Sequence, residues 1–234
     1  MRLTPRLSAI AAMVPGGSVV ADIGTDHGYI PVFLIAGGKV RRAVASDVKI
    51  GPLDKARGVI RRHGLEDRIE TRLGNGLEVL KPGEVDTIVI AGMGGMLIKD
   101  LLEAGRSALE GIKRLVLQPM NAQEVVREWL SRNGYEICDE TLAREKERVY
   151  QIIAAMPGER PIEDPFYFEI GKALIEKRHP LLPFLLEKKE KEYKKIIAGL
   201  NRAEQAGTAE RLREYTRRLA RLRGVMEQCS KWST

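Results

Sequence analysis

Ser18-Val19-Val20-Ala21-Asp22-Ile23-Gly24-Thr25-Asp26-His27-Gly28-Tyr29 is the stretch from which the fold is read. The apolar run from Ser18 to Asp22 is continuous rather than alternating, which marks a strand covered on both faces, as in a parallel sheet. A glycine loop follows directly, then a helical stretch over Ile30–Ala36. The loop departs from the full GxGxxG of dinucleotide binders, because Asp26 replaces the middle glycine that lets a pyrophosphate approach the backbone. A ligand without phosphates lifts that constraint, and a carboxylate becomes acceptable. S-adenosylmethionine is such a ligand: Asp22 or Asp26 can attract its cationic groups, and Gly24 lets it come close to the backbone. The plainer alternative is a tight strand-to-helix turn with polar capping.

The same rhythm continues outward. Ala43–Asp47, Arg68–Arg72, Asp86–Ala91 and Arg114–Gln118 read as further buried strands, and Pro52–His63, Met96–Ala104 and Ala122–Asn133 as the intervening helices. Gly134–Thr141 and Val149–Met156 then follow one another across Leu142–Arg148, a polar stretch too short for a crossover helix. That pair predicts an antiparallel hairpin at the far end of the sheet. Five parallel strands and a hairpin give an α/β, Rossmann-like class I methyltransferase fold with a seven-stranded mixed sheet. Ahead of it, Thr4 and Pro5 suit the N-cap and first position of a helix that presents Leu7, Ile10, Ala11 and Val14 on one face and stops at Pro15-Gly16-Gly17.

Pro157-Gly158-Glu159-Arg160-Pro161 predicts a boundary between a catalytic domain, residues 1–160, and a helical domain, residues 161–234. In the latter, Leu182, Leu186, Tyr193, Ile196 and Leu200 repeat at heptad spacing, with Lys189 in one seam position. Leu212, Tyr215, Leu219, Leu222 and Met226 do the same, and Asn201–Thr208 supplies the reversal. An antiparallel coiled-coil hairpin is expected. The net charge of +7 is concentrated there: residues 1–184 carry 26 Lys+Arg against 25 Asp+Glu, residues 185–234 carry 13 against 7. A basic tail of this kind suits a polyanion such as RNA, although Lys and Arg also serve a solvated helix.

The strand ends define a candidate crevice. Asp47, with Val48, lies 23 residues beyond Gly24, a spacing that suits hydrogen bonds to ribose hydroxyls. Gly74-Asn75-Gly76 offers an amide to an adenine edge, or is simply an Asn-Gly turn. Ala91-Gly92-Met93-Gly94-Gly95-Met96 leaves space for a planar base. It lacks the Asn/Asp-Pro-Pro-aromatic clamp of amino-directed methyltransferases, which points to a ring nitrogen as acceptor. Gln118-Pro119 can meet a base edge, Tyr29 can stack on one, and Arg6 can contact the substrate. Thr25, His27 and Gly28 complete the cofactor loop, and Asp26 is the candidate catalytic carboxylate, with Asp22 the competing one. His63 and His179, in charged helical surroundings, are expected to be exposed, and Trp129 to be core.

Other classes recede. No apolar run approaches the roughly 20 residues of a membrane span. Met1-Arg2-Leu3-Thr4-Pro5-Arg6 lacks a secretory h-region, and Cys138 and Cys229 form no CxxC. A cytoplasmic, metal-free monomer is expected. Rival functions are methylation of another RNA or of a small molecule, an RNA-binding module without catalysis, and a nucleotide-dependent oxidoreductase.

Leu3-Thr4-Pro5-Arg6-Leu7, the Ala21–Tyr29 loop, Ala91-Gly92-Met93-Gly94-Gly95 and Leu117-Gln118-Pro119 together resemble the bacterial TrmK family, the tRNA (adenine-22-N1)-methyltransferases. The resemblance extends through Ile170–Leu200 into the tail. It implies methyl transfer from S-adenosyl-L-methionine to N1 of adenine 22 of tRNA. Two positions depart from the family pattern: Asn75 stands where Gly-Asp-Gly is usual, and Met120 interrupts Gln-Pro-Asn, with Asn121 next.

Overall fold

The computed structural model describes residues 1–202 and 208–233, in two compact units, Met1–Glu163 and Asp164–Thr234. The first unit contains one sheet of seven strands in the order β3-β2-β1-β4-β5-β7-β6. Its strands are β1 Val19–Ile23, β2 Arg42–Asp47, β3 Ile69–Leu73, β4 Thr87–Met93, β5 Arg114–Pro119, β6 Tyr135–Glu145 and β7 Arg148–Pro157. β1 to β5 are parallel, and β7 runs antiparallel to both of its neighbours, β5 and β6. This is the Rossmann-like methyltransferase arrangement anticipated from the strand rhythm and the closing hairpin.

Five helices cover the sheet: α1 Pro5–Met13, α2 Tyr29–Ala36, α3 Ile50–Arg62, α4 Gly95–Ala104 and α5 Gln123–Arg132. Alternate residues of the central strands feed two separate cores. Ile88, Ile90, Leu115 and Leu117 pack with Ile98, Leu102 and Leu130 of α4 and α5. Val89 and Val116 pack with Ile10, Leu34, Ile35 and Val59 of α1, α2 and α3. Burial on both faces is why these strands read as unbroken apolar runs. Thr4 caps α1 as anticipated, its side chain accepting the Leu7 N–H. Trp129 lies in the core, and His63 is exposed, while His179 is half-buried.

The structure corrects the sequence reading at the hairpin. Leu142–Arg148 is not a linking loop: β6 runs on to Glu145, β7 begins at Arg148, and only Lys146 and Glu147 turn the chain. Lys146 adopts φ 54, a conformation usually signalled by Gly or Asn, so local sequence gave no sign of so tight a turn. The hairpin register is held by a buried pair: Arg127 Nε donates to Glu140 Oε1 at 2.7 Å, and Nη2 to Gln151 Oε1 at 2.6 Å.

The second unit comprises α6 Phe166–Ile170, α7 Lys172–Glu176, α8 Leu182–Leu200 and α9 Thr208–Ser230. Contacts of Glu190 with Arg223 and of Tyr193 with Tyr215 show α8 and α9 packed antiparallel along the expected seams. Lys189 sits in its seam because Glu169 at 3.8 Å and Glu192 at 3.4 Å neutralise it. Most of the reversal expected over Asn201–Thr208 lies outside the described residues. Among the described residues, no helix is long and apolar enough to cross a membrane.

Candidate active site

A cleft of about 450 Å³ opens at the carboxyl edge of the sheet, a size typical of small-molecule sites. Its floor is the loop after β1. Gly24 and Thr25 donate their backbone N–H groups to Ser46 O, both at 2.8 Å, which ties the loop to the end of β2. Gly24 is at φ +75, and a Cβ there would overlap the Met93 Cε, so glycine is required for conformation and for space. Gly28, at φ +66, precedes α2, and its N–H donates to Thr25 Oγ1 at 3.1 Å.

Asp22 and Asp26 both line this cleft, in opposite electrostatic settings. Asp22 is buried at the end of β1. Burial pushes its carboxyl up to about 6; the Thr25 hydroxyl pulls the other way, and the Asp47 charge adds to the rise. Among the described residues no cation pairs with it. Asp26 is 63% exposed, with His27 Nε2 at 3.2 Å and Lys55 Nζ at 3.6 Å. His27 stacks flat against Tyr29 at 4.9 Å, which turns the pair into an aromatic surface on the cleft wall.

Ala91, Gly92 and Arg6 also line the cleft. The glycines at the end of β4 and the start of α4 divide by role, contrary to the reading that all three leave room for a base. A Cβ on Gly92 would lie 3.5 Å from Arg6 Nη1, an ordinary contact, whereas on Gly94 it would press on Asn121 Oδ1 at 3.1 Å and on Gly95 it would overlap Ala122 O. Gly94 and Gly95 are therefore packing positions against the loop after β5. Gln118 is likewise corrected: it is fully buried, its Oε1 accepts Arg6 Nη1 at 2.8 Å, and its Nε2 donates to Pro119 O. With both ends engaged it aims Arg6, which also lies over the Tyr150 ring, rather than meeting a base edge. Pro119 is buried beside it.

Asp47, Val48, Asn75 and Gly76 stand at the adjoining ends of β2 and β3, outside the lining of the cleft. The Asp47 carboxylate accepts the Lys49 N–H at 2.8 Å, and Val48 is 61% exposed. The Asn75 amide turns to Glu78 at 3.4 Å, and a Cβ on Gly76 would run into Leu101, so the turn chemistry accounts for both. Four lining residues carry no functional expectation from sequence: Thr4, Leu7, Ile30 and Glu145. In sequence, Thr4 and Leu7 read as helix cap and core face. Glu145 reaches the cleft only through the extension of β6, which no local pattern announces. Among the described residues, no group of three or more His, Cys, Asp or Glu could hold a metal.

A family model described as a methyltransferase domain matches residues 3–153. The tRNA (adenine(22)-N(1))-methyltransferase of Bacillus subtilis strain 168 is 41% identical over 160 residues, 68% of this chain and 67% of the relative. The crystal structure of the B. subtilis M1A22 tRNA methyltransferase TrmK superposes with a TM-score of 0.88 at 33% identity, covering 96% and 99% of the two chains. The chain belongs to the TrmK family. A Streptococcus pneumoniae relative in complex with S-adenosyl-L-methionine superposes with a TM-score of 0.84 at 30% identity, covering 96% of this chain and 100% of that one. For a TrmK fold, the cleft lies where open parallel sheets place their ligands, beyond the carboxyl ends of adjacent strands.

Proposed function

We propose that this chain transfers a methyl group from S-adenosyl-L-methionine to N1 of adenine 22 of tRNA in the cytoplasm. The observation that carries this reading is Asp22, a buried carboxylate without a cationic partner among the described residues, facing a cleft of cofactor size. Such a group is costly unless a bound cation satisfies it. The cofactor's amino and sulfonium groups are cations of the required kind, so the residues present fit it. Asp22, Gly24, Thr25, His27, Gly28, Ala91 and Gly92 would hold it, with Asp47, Val48, Asn75 and Gly76 at the adenosine end.

When bound, S-adenosylmethionine supplies a methyl that is already electrophilic. Alignment is therefore the main contribution of the protein. Adenine N1 attacks through its in-plane lone pair, and no proton need leave first. Asp26, at the mouth, offers negative charge toward the base as the ring becomes cationic. The His27–Tyr29 surface offers the base a stacking face, and Arg6, aimed by the buried Gln118, borders the substrate side with Met93 at the end of β4. In the tail, Lys188, Lys191, Lys195, Arg211, Arg213 and Arg217 are exposed and have no ion-pair partner among the described residues. They supply the field that draws tRNA.

Mass spectrometry of tRNA incubated with the protein and the methyl donor should show a single added methyl, mapped to N1 of adenine 22. Its absence, or a methyl elsewhere, would overturn the reading. Asp26→Ala is expected to lower kcat roughly 100-fold and leave cofactor affinity within about twofold in titration. Near-normal turnover by that variant would remove Asp26 from the chemistry.

A further inference from the structure

Glu145 occupies a position that the proposed chemistry leaves unused. It is the last residue of β6, and β6 runs in the same sense as β5 because both pair antiparallel with β7. Its side chain therefore arrives at the carboxyl edge of the sheet and lines the same cleft as Asp22, Asp26 and Gly92. Oε1 accepts the Arg6 N–H at 2.9 Å, in the first turn of α1. Burial raises its pKa, but the Thr4 hydroxyl, the Arg6 N–H and the Arg6 charge outweigh that, so the carboxyl sits below its usual range and is ionised at neutral pH. Capping α1 requires only an acceptor; a glutamine would serve. A helix cap does not explain why a full negative charge lines the cleft.

We propose that Glu145 is a catalytic residue that accepts a hydrogen bond from the exocyclic amine of the target adenine. A carboxylate has about four acceptor directions, so the Arg6 N–H and a ligand amine can share it. In methyl transfer the N1 lone pair forms the new N–C bond, and the C–S pair stays with sulfur. The base then carries one positive charge, spread over N1, C6 and the amine. Hydrogen bonds to the amine strengthen as that charge grows, which is the condition for lowering a barrier rather than merely binding substrate. Guanine presents a carbonyl oxygen at the same place and is repelled, so one group contributes to both rate and base choice. Asp26 is less suited to this contact, since solvent, His27 and Lys55 already dilute its charge.

This assignment rests on the proposed adenine-N1 activity, and the test separates the two. Wild type, Glu145→Gln and Glu145→Ala are assayed on full-length tRNA carrying either adenine or unsubstituted purine at position 22. Glu145→Gln keeps the acceptor for Arg6 and loses only the charge. Its kcat on adenine should fall roughly 30- to 100-fold, with cofactor affinity and melting temperature close to wild type. On the purine substrate, which has no amine, wild type and Glu145→Gln should turn over at similar rates. Wild-type kcat for Glu145→Gln on adenine, or an equal fold-loss on both substrates, overturns the assignment and leaves Glu145 a helix cap. Failure of wild type to methylate adenine N1 overturns instead the activity it rests on.

Discussion

Asp22→Asn is expected to make the ligand-free protein more resistant to heat at pH 7.5 while weakening cofactor binding roughly 30- to 1000-fold. The two effects have one origin. The native carboxyl titrates at about 6 against an ordinary 3.8, so between these values the folded protein holds a proton that the unfolded chain has released. Stability therefore falls as pH rises from about 4 to about 6, and above 6 the deficit is complete, with a ceiling of about 3 kcal/mol for a shift of this size. Asparagine keeps the shape and removes the charge, which relieves that deficit. It also removes the anion a cationic cofactor needs, a loss of about 2–4 kcal/mol. Melting curves from pH 4 to 8 should converge for wild type and variant at the acid end and separate above pH 6. Wild-type cofactor affinity should rise with pH through the same range. A variant that melts lower at every pH, or binds cofactor normally, would contradict the assignment of Asp22 as the cation-holding carboxylate.

Arg127→Met is expected to destabilise the first unit by about 3–5 kcal/mol, because it strands the Glu140 carboxylate in the interior. Arg127 and Glu140 are 0% and 1% exposed, so solvent cannot compensate. For a unit of this size the loss corresponds to a melting temperature lower by roughly 10 °C. The double variant Arg127→Met/Glu140→Met exchanges both charges for apolar groups of similar volume and should recover most of it. Denaturant titrations of the single and double variants check this; equal destabilisation by both would show that shape, not charge pairing, holds the site. The pair also fixes the strand register, in which Glu140 opposes Ile153 and Glu145 opposes Arg148. A slip of one residue would turn Glu145 to the opposite face of the sheet.

The parts of the fold legible in sequence were those where a single physical cause acts locally. The central parallel strands announced themselves as Val/Ile/Ala runs, whereas β3, read as another buried strand, is an edge strand with only Ile69 buried. Heptads announced α8 and α9 to within a turn. Lys189 interrupts its seam without breaking the helix because its partners come from the same unit, one of them, Glu169, 20 residues earlier and invisible to local periodicity. The loop from Asp22 to Tyr29 was readable as a site because every residue in it except the core Ile23 lines one cleft. Gln118 and Glu145 were misread or missed for a common reason. Their roles depend on Arg6, more than 100 residues away, and nothing near either of them in the chain points there. Gly94 and Gly95 show the same limit: glycine signals an absent side chain, and only the tertiary structure shows whether a ligand or a carbonyl fills the space.

The hydrogen bond between Glu145 and Arg6 joins residues 139 positions apart. During synthesis the first helix therefore emerges long before the acceptor that finishes its opening turn. The five parallel strands, with the loop that would receive the cofactor, are all made first, and the wall that closes the cleft comes with the penultimate strand. Contacts of such long sequence separation carry a high loop-closure cost and form late. A nascent chain ending near residue 140 would hold a nearly complete floor and still be unable to do the work.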